Sequence, residues 1–220
     1  MTRPPLEGDR MSLAAAGRRL VLADLIARPT DRARAAALDT ALVIAGAAVV
    51  AVLAQVEVPL WPVPITGQTL AVVVVGAALG ARRGAAALFT YLVAGLAGLP
   101  VFAGFTGTIA AVAKPSFGFI IGFVFAAFVA GWFAERAWDR RPVLAFVGFV
   151  AASVIPFLFG VPYMAFILNT VLGKGLGIEA ILAAGVTPFI LGGIVKAALA
   201  ALLIPAAWAG VRALERRSGR

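Results

Sequence analysis

Thr187-Pro-Phe-Ile-Leu-Gly-Gly-Ile-Val-Lys-Ala-Ala-Leu-Ala-Ala-Leu-Leu-Ile-Pro205 decides the class of this chain. These 19 residues carry one charge, Lys196. A bilayer-spanning helix needs about 20 apolar residues, so the run reads as the heart of a membrane span. An ammonium in mid-membrane costs about 2.5–3.5 kcal/mol on insertion scales. Lysines kept at such depth face a polar cavity or a partner, which makes Lys196 a binding candidate from the outset.

The rest of the chain has the same character. Of its 220 residues, 62% are hydrophobic and 13% charged, and the mean hydropathy is +1.02. Soluble domains run near half apolar and a quarter charged, so this is an integral membrane protein. Its length suits one bundle rather than two domains. The absence of cysteine excludes disulfides and thiolate chemistry, and the absence of histidine removes the usual general base and the commonest metal ligand.

Working outward from Lys196, six spans are expected: Asp39 to Val56, Thr66 to Ala81, Gly84 to Leu99, Phe117 to Ala137, Val143 to Leu168 and Thr187 to Leu214. Spans two and three are short and separated by Arg82-Arg83, a tight helical hairpin. With a cytoplasmic N-terminus, Arg82, Arg83, Arg136, Arg140, Arg141 and Arg212 to Arg220 fall inside, together with the arginines of the N-terminal tail. Only Lys114 and Lys174 lie in outer loops. This positive-inside bias supports an all-α bundle of six helices with both termini cytoplasmic. It also accounts for the net charge of +9 without nucleic acid. The organisation is then an arginine-rich tail over 1–38, a membrane domain over 39–214 and a short cytoplasmic tail over 215–220. Met11 to Ile26 suits either an interfacial helix on anionic lipid or an unordered tail.

The outer connections are not ordinary solvated loops. Glu57 to Ile65 holds three prolines, Pro100 to Thr108 is rich in glycine and aromatics, and Asn169 to Gly185 is apolar and glycine-rich. Such backbone at membrane depth is tolerated where it lines a cavity or packs on protein, so a site opening outward is expected. Small residues recur four apart at Gly76/Gly80, Gly118/Gly122, Ala41/Ala45 and Ala47/Ala51, a spacing that lets helices approach closely. Internal packing accounts for most of these pairs. Ala41, Ala45, Ala47 and Ala51 are the candidates for docking a partner membrane protein.

Catalytic patterns are missing. Gly173-Lys174-Gly175 lacks the upstream glycine and the Ser/Thr of a phosphate loop, and no nucleophile lies beside a base. The chain is read as a non-enzyme without a cofactor that binds or moves something.

Three stretches together resemble the BioY family, the biotin-binding S components of energy-coupling-factor (ECF) vitamin transporters. They are Val63-Pro-Ile-Thr-Gly-Gln-Thr69 with Gly80-Ala-Arg-Arg-Gly-Ala85; Tyr91-Leu-Val-Ala-Gly-Leu-Ala-Gly-Leu-Pro-Val-Phe-Ala-Gly104 leading to Pro115-Ser-Phe-Gly-Phe-Ile-Ile-Gly-Phe123; and Pro188-Phe-Ile-Leu-Gly-Gly-Ile-Val-Lys196. The resemblance runs from about Asp39 to Trp208. It implies a compact six-helix fold in the bacterial plasma membrane, with a vitamin pocket near the outer surface partly covered by the loop between spans one and two. It further implies biotin as ligand, and as partners a membrane coupling protein and two ATPase subunits, with membrane lipid around them. Lys196 matches a lysine that resembles a substrate-contacting residue. The acidic residue usual one helical turn earlier is Gly193 here, and the family's typical proline is Leu191. Lys196 must therefore find another anion or be neutral, and biotin's carboxylate or ureido oxygen can supply part of that compensation. Gly193 also keeps open an S component for another small vitamin. A non-transporting membrane scaffold is the reading from a different class.

Further pocket candidates come from residue chemistry. Thr66 and Gln68 can hydrogen-bond a ureido group, although Thr66 equally suits a helix cap. Tyr91 and Phe102 can pack on a bicyclic thioether ring or simply on the bundle. Tyr163 lies late in span five, and Asn169 stands at its outer end, where capping is as plausible as binding. Gly104 and Gly107 allow backbone to approach a ligand. Lys114 reads as a loop charge, and Glu135, Arg136 and Asp139 as a solvated inner face.

Overall fold

The computed structural model describes residues 20–26 and 29–217. Within them lie seven α-helices: α1 (Arg32–Ala54), α2 (Gln68–Leu79), α3 (Ala81–Leu96), α4 (Phe117–Ala134), α5 (Pro142–Phe166), α6 (Ile178–Gly185) and α7 (Thr187–Arg217). Each of the six expected spans contains a helix. Four stretches are long and apolar enough to cross a membrane: Arg32–Ala54, Phe117–Ala134, Pro142–Val171 and Ile178–Leu214. At 1.5 Å per residue, α2 and α3 reach only about 18 and 24 Å, short of a hydrocarbon core of about 30 Å.

Most of the N-terminal tail, and with it most of the expected interfacial helix, lies outside the described residues. Its end is ordered as a 3-10 turn, Leu22–Leu25, with Val21 fully buried. The turn packs against α2. The expected C-terminal tail begins within α7, which runs on to Arg217.

α4 is the packing centre and meets α5, α2 and α3. Its small residues explain why. A Cβ on Gly131 would stand 2.3 Å from the Ala81 nitrogen, and one on Gly122 would stand 2.6 Å from the Pro156 Cα. Backbones at such range gain dispersion contact that larger side chains would prevent. Gly76, Gly118 and Gly122 are thus internal contacts.

The four alanines of α1 do not form one docking face. Ala41 and Ala45 are exposed, whereas Ala47 is buried in the core and Ala51 is half-buried. At 100° per residue, positions 41 and 47 lie about 120° apart around the helix, so the two pairs belong to different sides. Ala47 is unavailable to a partner, which corrects the expectation drawn from spacing alone.

Two further differences from expectation have local causes. The break between α2 and α3 falls on Gly80, at φ 84°, rather than on Arg82-Arg83, which occupy the first turn of α3. Only glycine enters that region without a Cβ penalty, so one residue suffices to turn the chain. The connection after α5 is also more ordered than its glycines suggest. α5 ends in a π-turn, Ile167–Val171, and α6 follows after a short link. Asn169 closes that link, donating from Nδ2 to the Leu176 carbonyl at 2.9 Å and accepting from the Leu176 N–H at 2.7 Å.

Candidate functional site

The proline-rich connection after α1 folds into a two-stranded antiparallel hairpin, β1 (Glu57–Val58) and β2 (Ile65–Thr66), with Glu57 opposite Thr66. The glycine- and aromatic-rich connection after α3 forms two 3-10 turns, Ala103–Phe105 and Ile109–Ala113. These segments, with α4, α5 and the start of α7, enclose a cavity of about 770 Å³. Small-molecule sites typically occupy about 300–1,000 Å³ and are mostly apolar with a few placed polar groups. The lining here fits that description. Phe119, Phe157 and Phe189 form a cluster with ring centroids 5.6 to 6.3 Å apart. Phe102, Phe117 and Phe123 add aromatic wall, while Thr66, Gln68, Thr69, Thr106, Ser116 and Ser153 add hydroxyls and an amide. The charged residues of the lining are Glu57, Lys114 and Lys196.

Lys196 is half-buried on α7. Its Nζ donates to the Thr66 carbonyl at 2.5 Å and to Thr69 Oγ1 at 3.1 Å. Both partners are neutral oxygens, one at the end of β2 and one in the first turn of α2, so among the described residues the amine is hydrogen-bonded without a carboxylate. One turn before it, Gly193 also lines the cavity. A Cβ built on Gly193 meets nothing within 4 Å. The position is open space, not a close-packed contact.

A second polar chain starts from the same hairpin. Thr66 Oγ1 donates to Gln68 Oε1 at 2.8 Å, and Gln68 Nε2 donates to the Tyr91 hydroxyl at 2.6 Å. Thr66 Oγ1 also accepts the Gln68 N–H at 3.3 Å, so lining and helix-start roles coincide in one side chain. Tyr91 is 1% exposed and lies behind the wall. Its ring meets Phe102 edge-on at 5.4 Å. Phe102 does line the cavity, and its ring fills the space over Gly95, where a Cβ would come within 2.1 Å of it. Gly95 is therefore required for Phe102 to sit there.

The structure brings Lys196, Thr66, Gln68, Phe102 and Gly193 together on the lining. Tyr91, Gly104, Gly107, Tyr163 and Asn169 stand off it. Tyr163 instead donates its hydroxyl to the Val112 carbonyl, anchoring the second 3-10 turn to α5. Gly107 is pressed against Leu99, whose carbonyl oxygen would lie 2.2 Å from a Cβ there. Asn169 closes its own link, as described above. Sequence reasoning missed Gln55, which holds the Phe102 loop. Its Nε2 donates to the Val101 and Phe102 carbonyls at 3.3 and 3.2 Å, and its Oε1 accepts from the Phe105 N–H at 2.9 Å. A lone polar side chain at the end of an apolar span was the available signal. Lys114, read as a loop charge, belongs to the lining too.

The opposite end of the bundle gathers the arginines. Arg83 pairs with Asp24 and, at 3.5 Å, with Asp39. Glu135 accepts from the Ala81 N–H at 3.0 Å. Arg140 donates to the Leu20 carbonyl at 2.9 Å and lies 4.2 Å over the Trp208 ring. Asp139 is 1% exposed and accepts from Trp208 Nε1 at 2.5 Å, so it is not part of a solvated face.

Comparison with known proteins agrees with this architecture. The model of the BioY family matches residues 27–213. A biotin transporter BioY from Rhizobium etli is 37% identical over 186 residues, covering 81% of this chain and 96% of that protein. A probable biotin transporter BioY from Pyrococcus horikoshii is 33% identical over 165 residues, covering 75% and 93%. Among solved structures, the S-component for biotin from an ECF-type ABC transporter superposes with a TM-score of 0.61 at 22% identity, covering 81% of this chain and 94% of that one. At that identity the likeness concerns the fold.

Proposed function

Because the chain belongs to the BioY family, we propose that it is the substrate-binding membrane subunit of a biotin importer. It is a multi-pass protein of the bacterial plasma membrane. It captures biotin from the extracytoplasmic side and delivers it inward with an ECF coupling protein and two ATPase subunits. The observation that carries this reading is the cavity of about 770 Å³, aromatic in its walls and crossed at one side by a hydrogen-bonded lysine. Its size suits a small bicyclic molecule, the phenylalanines suit the apolar ring system, and Lys196, Thr66 and Gln68 suit a ureido group.

In this reading the chain crosses the bilayer six times with both termini cytoplasmic. Arg83, Arg140 and their partners cluster at one end, and the hairpin, the 3-10 turns and the cavity lie away from them. The positive-inside rule then sets the cavity outward. The short α2 and α3 span with the help of the hairpin and loops above them, which pack on protein rather than lipid.

Binding of labelled biotin to the purified chain tests the proposal, with a panel of other vitamins as competitors. Gly193 is the observation that favours a second reading, an S component for another small vitamin, because an acidic group usual in the family is missing beside Lys196. Competition by a different vitamin but not by biotin selects that reading, and no saturable ligand selects a scaffold.

A further inference from the structure

The cavity holds two lysines in unlike surroundings. Lys196 is half-buried, with two of its three donors on a backbone carbonyl and a threonine hydroxyl. Lys114 is exposed yet belongs to the same lining. Resting on the reading of the cavity as a biotin site, we propose that Lys114 is the residue that selects for the ligand's carboxylate, holding it at the mouth while the ureido end occupies the Lys196 side.

Three observations converge on this assignment. The first concerns geometry. Lys114 Nζ meets Thr106 Oγ1 at 3.2 Å, and that hydroxyl donates its own proton to the Ala103 carbonyl at 3.0 Å. The threonine oxygen therefore accepts from the lysine and fixes the ammonium against the cavity rim. Thr106 and Ala103 are lining residues themselves. One neutral oxygen leaves the ammonium with donors to spare, since a lysine carries three.

The second concerns desolvation. Taking a carboxylate out of water costs several kcal/mol unless it is fully paired, whereas a neutral urea-like group needs only its hydrogen bonds. The charged end of an amphiphilic ligand is thus cheapest to hold where water still reaches, at Lys114. The neutral polar end is the one that tolerates the aromatic interior and the half-buried amine beside Thr66 and Gln68.

The third concerns charge balance. Among the described residues the lining carries two lysines and one carboxylate, Glu57. A monoanionic ligand brings the occupied cavity to neutrality. A neutral ligand leaves one positive charge uncompensated.

The experiment measures equilibrium affinities for biotin and for its neutral carboxamide, biotinamide, in wild type, K114Q and K114R. The readout is the ratio of the two affinities. Wild type is expected to prefer biotin by about three- to fivefold, the worth of a solvent-exposed ion pair. The ratio should fall to near one in K114Q and remain in K114R, and added salt should shrink it in wild type. A wild-type ratio near one, or a ratio preserved in K114Q, overturns the role of Lys114 while biotin binding stands. Absence of saturable binding of either compound by wild type overturns the reading on which this inference rests, and the inference with it.

Discussion

Lys196 Nζ donates a hydrogen bond to the backbone carbonyl oxygen of Thr66, joining residues 130 positions apart. Thr66 closes the hairpin beside the cavity and starts the approach to α2. The lysine thus does two things at once. It ties α7 to the covering hairpin, and it presents an ammonium to whatever the cavity holds.

Replacing Lys196 by methionine keeps the side-chain length and removes the donor. A hydrogen bond to a charged group is worth about 1.5–3 kcal/mol, so biotin affinity should fall at least about tenfold. Titration of labelled biotin against both proteins reads this directly. Affinity retained within about twofold would remove Lys196 from the site.

Gly193→Asp tests the missing acid. A Cβ there meets open space, so the variant should fold normally. Positions three apart on a helix are neighbours, which brings the new carboxylate beside Lys196 and into reach of ureido N–H groups. The expected outcome is biotin binding several-fold tighter than wild type, measured by the same titration. Weaker binding would mean that the ligand already fills the space beside Gly193.

Gly76 tests the helix packing. A Cβ on it would lie 2.4 Å from the Ala127 carbonyl oxygen, so Gly76→Val must push α2 from α4. Overpacking of this kind costs about 1–3 kcal/mol. The variant should unfold several degrees below wild type in a thermal scan in detergent. An unchanged midpoint would contradict the close approach.

Asp139 gives a pH signature. Burial pushes its carboxyl above the usual carboxylate range, against the smaller opposing effects of the Trp208 hydrogen bond and Arg140. Asp139 Oδ1 has no hydrogen-bond donor among the described residues. A raised native value means that the folded state holds the proton more tightly than the unfolded chain. Stability from this group is therefore present below the unfolded value of about 3.9 and lost as pH rises through the native value. Relative to Asp139→Asn, wild type should gain stability as pH falls through that window. Denaturation midpoints of both proteins at a series of pH values check this, and a pH-independent difference would contradict it.

Some of this was legible before any coordinates. A single charge in an apolar run announced Lys196, and the arginine distribution announced the end of the bundle opposite the cavity. Thr66, Gln68 and Phe102 were legible as lining candidates from their side-chain chemistry, and Gly193 from the acid that the resembling family usually carries there. Gln55 and Lys114 were passed over: the polar end of an apolar span marked Gln55 as unusual, but which loop it holds, and that Lys114 reaches the lining, depend on contacts to segments 46 and 8 residues away. The alanines of α1 misled for a related reason. Spacing of four identifies a pair on one side of a helix but not which side faces the bundle. Tyr163 and Asn169 are polar groups in apolar surroundings, a signature shared by ligand contacts and by loop anchors. The structure puts both to anchoring.

The most direct measurement is equilibrium binding of labelled biotin to the purified chain in lipid nanodiscs. Saturable binding of one molecule per chain is expected, displaced by excess unlabelled biotin and not by other vitamins. No saturable binding, or displacement by an unrelated vitamin with biotin ineffective, would contradict the proposed function.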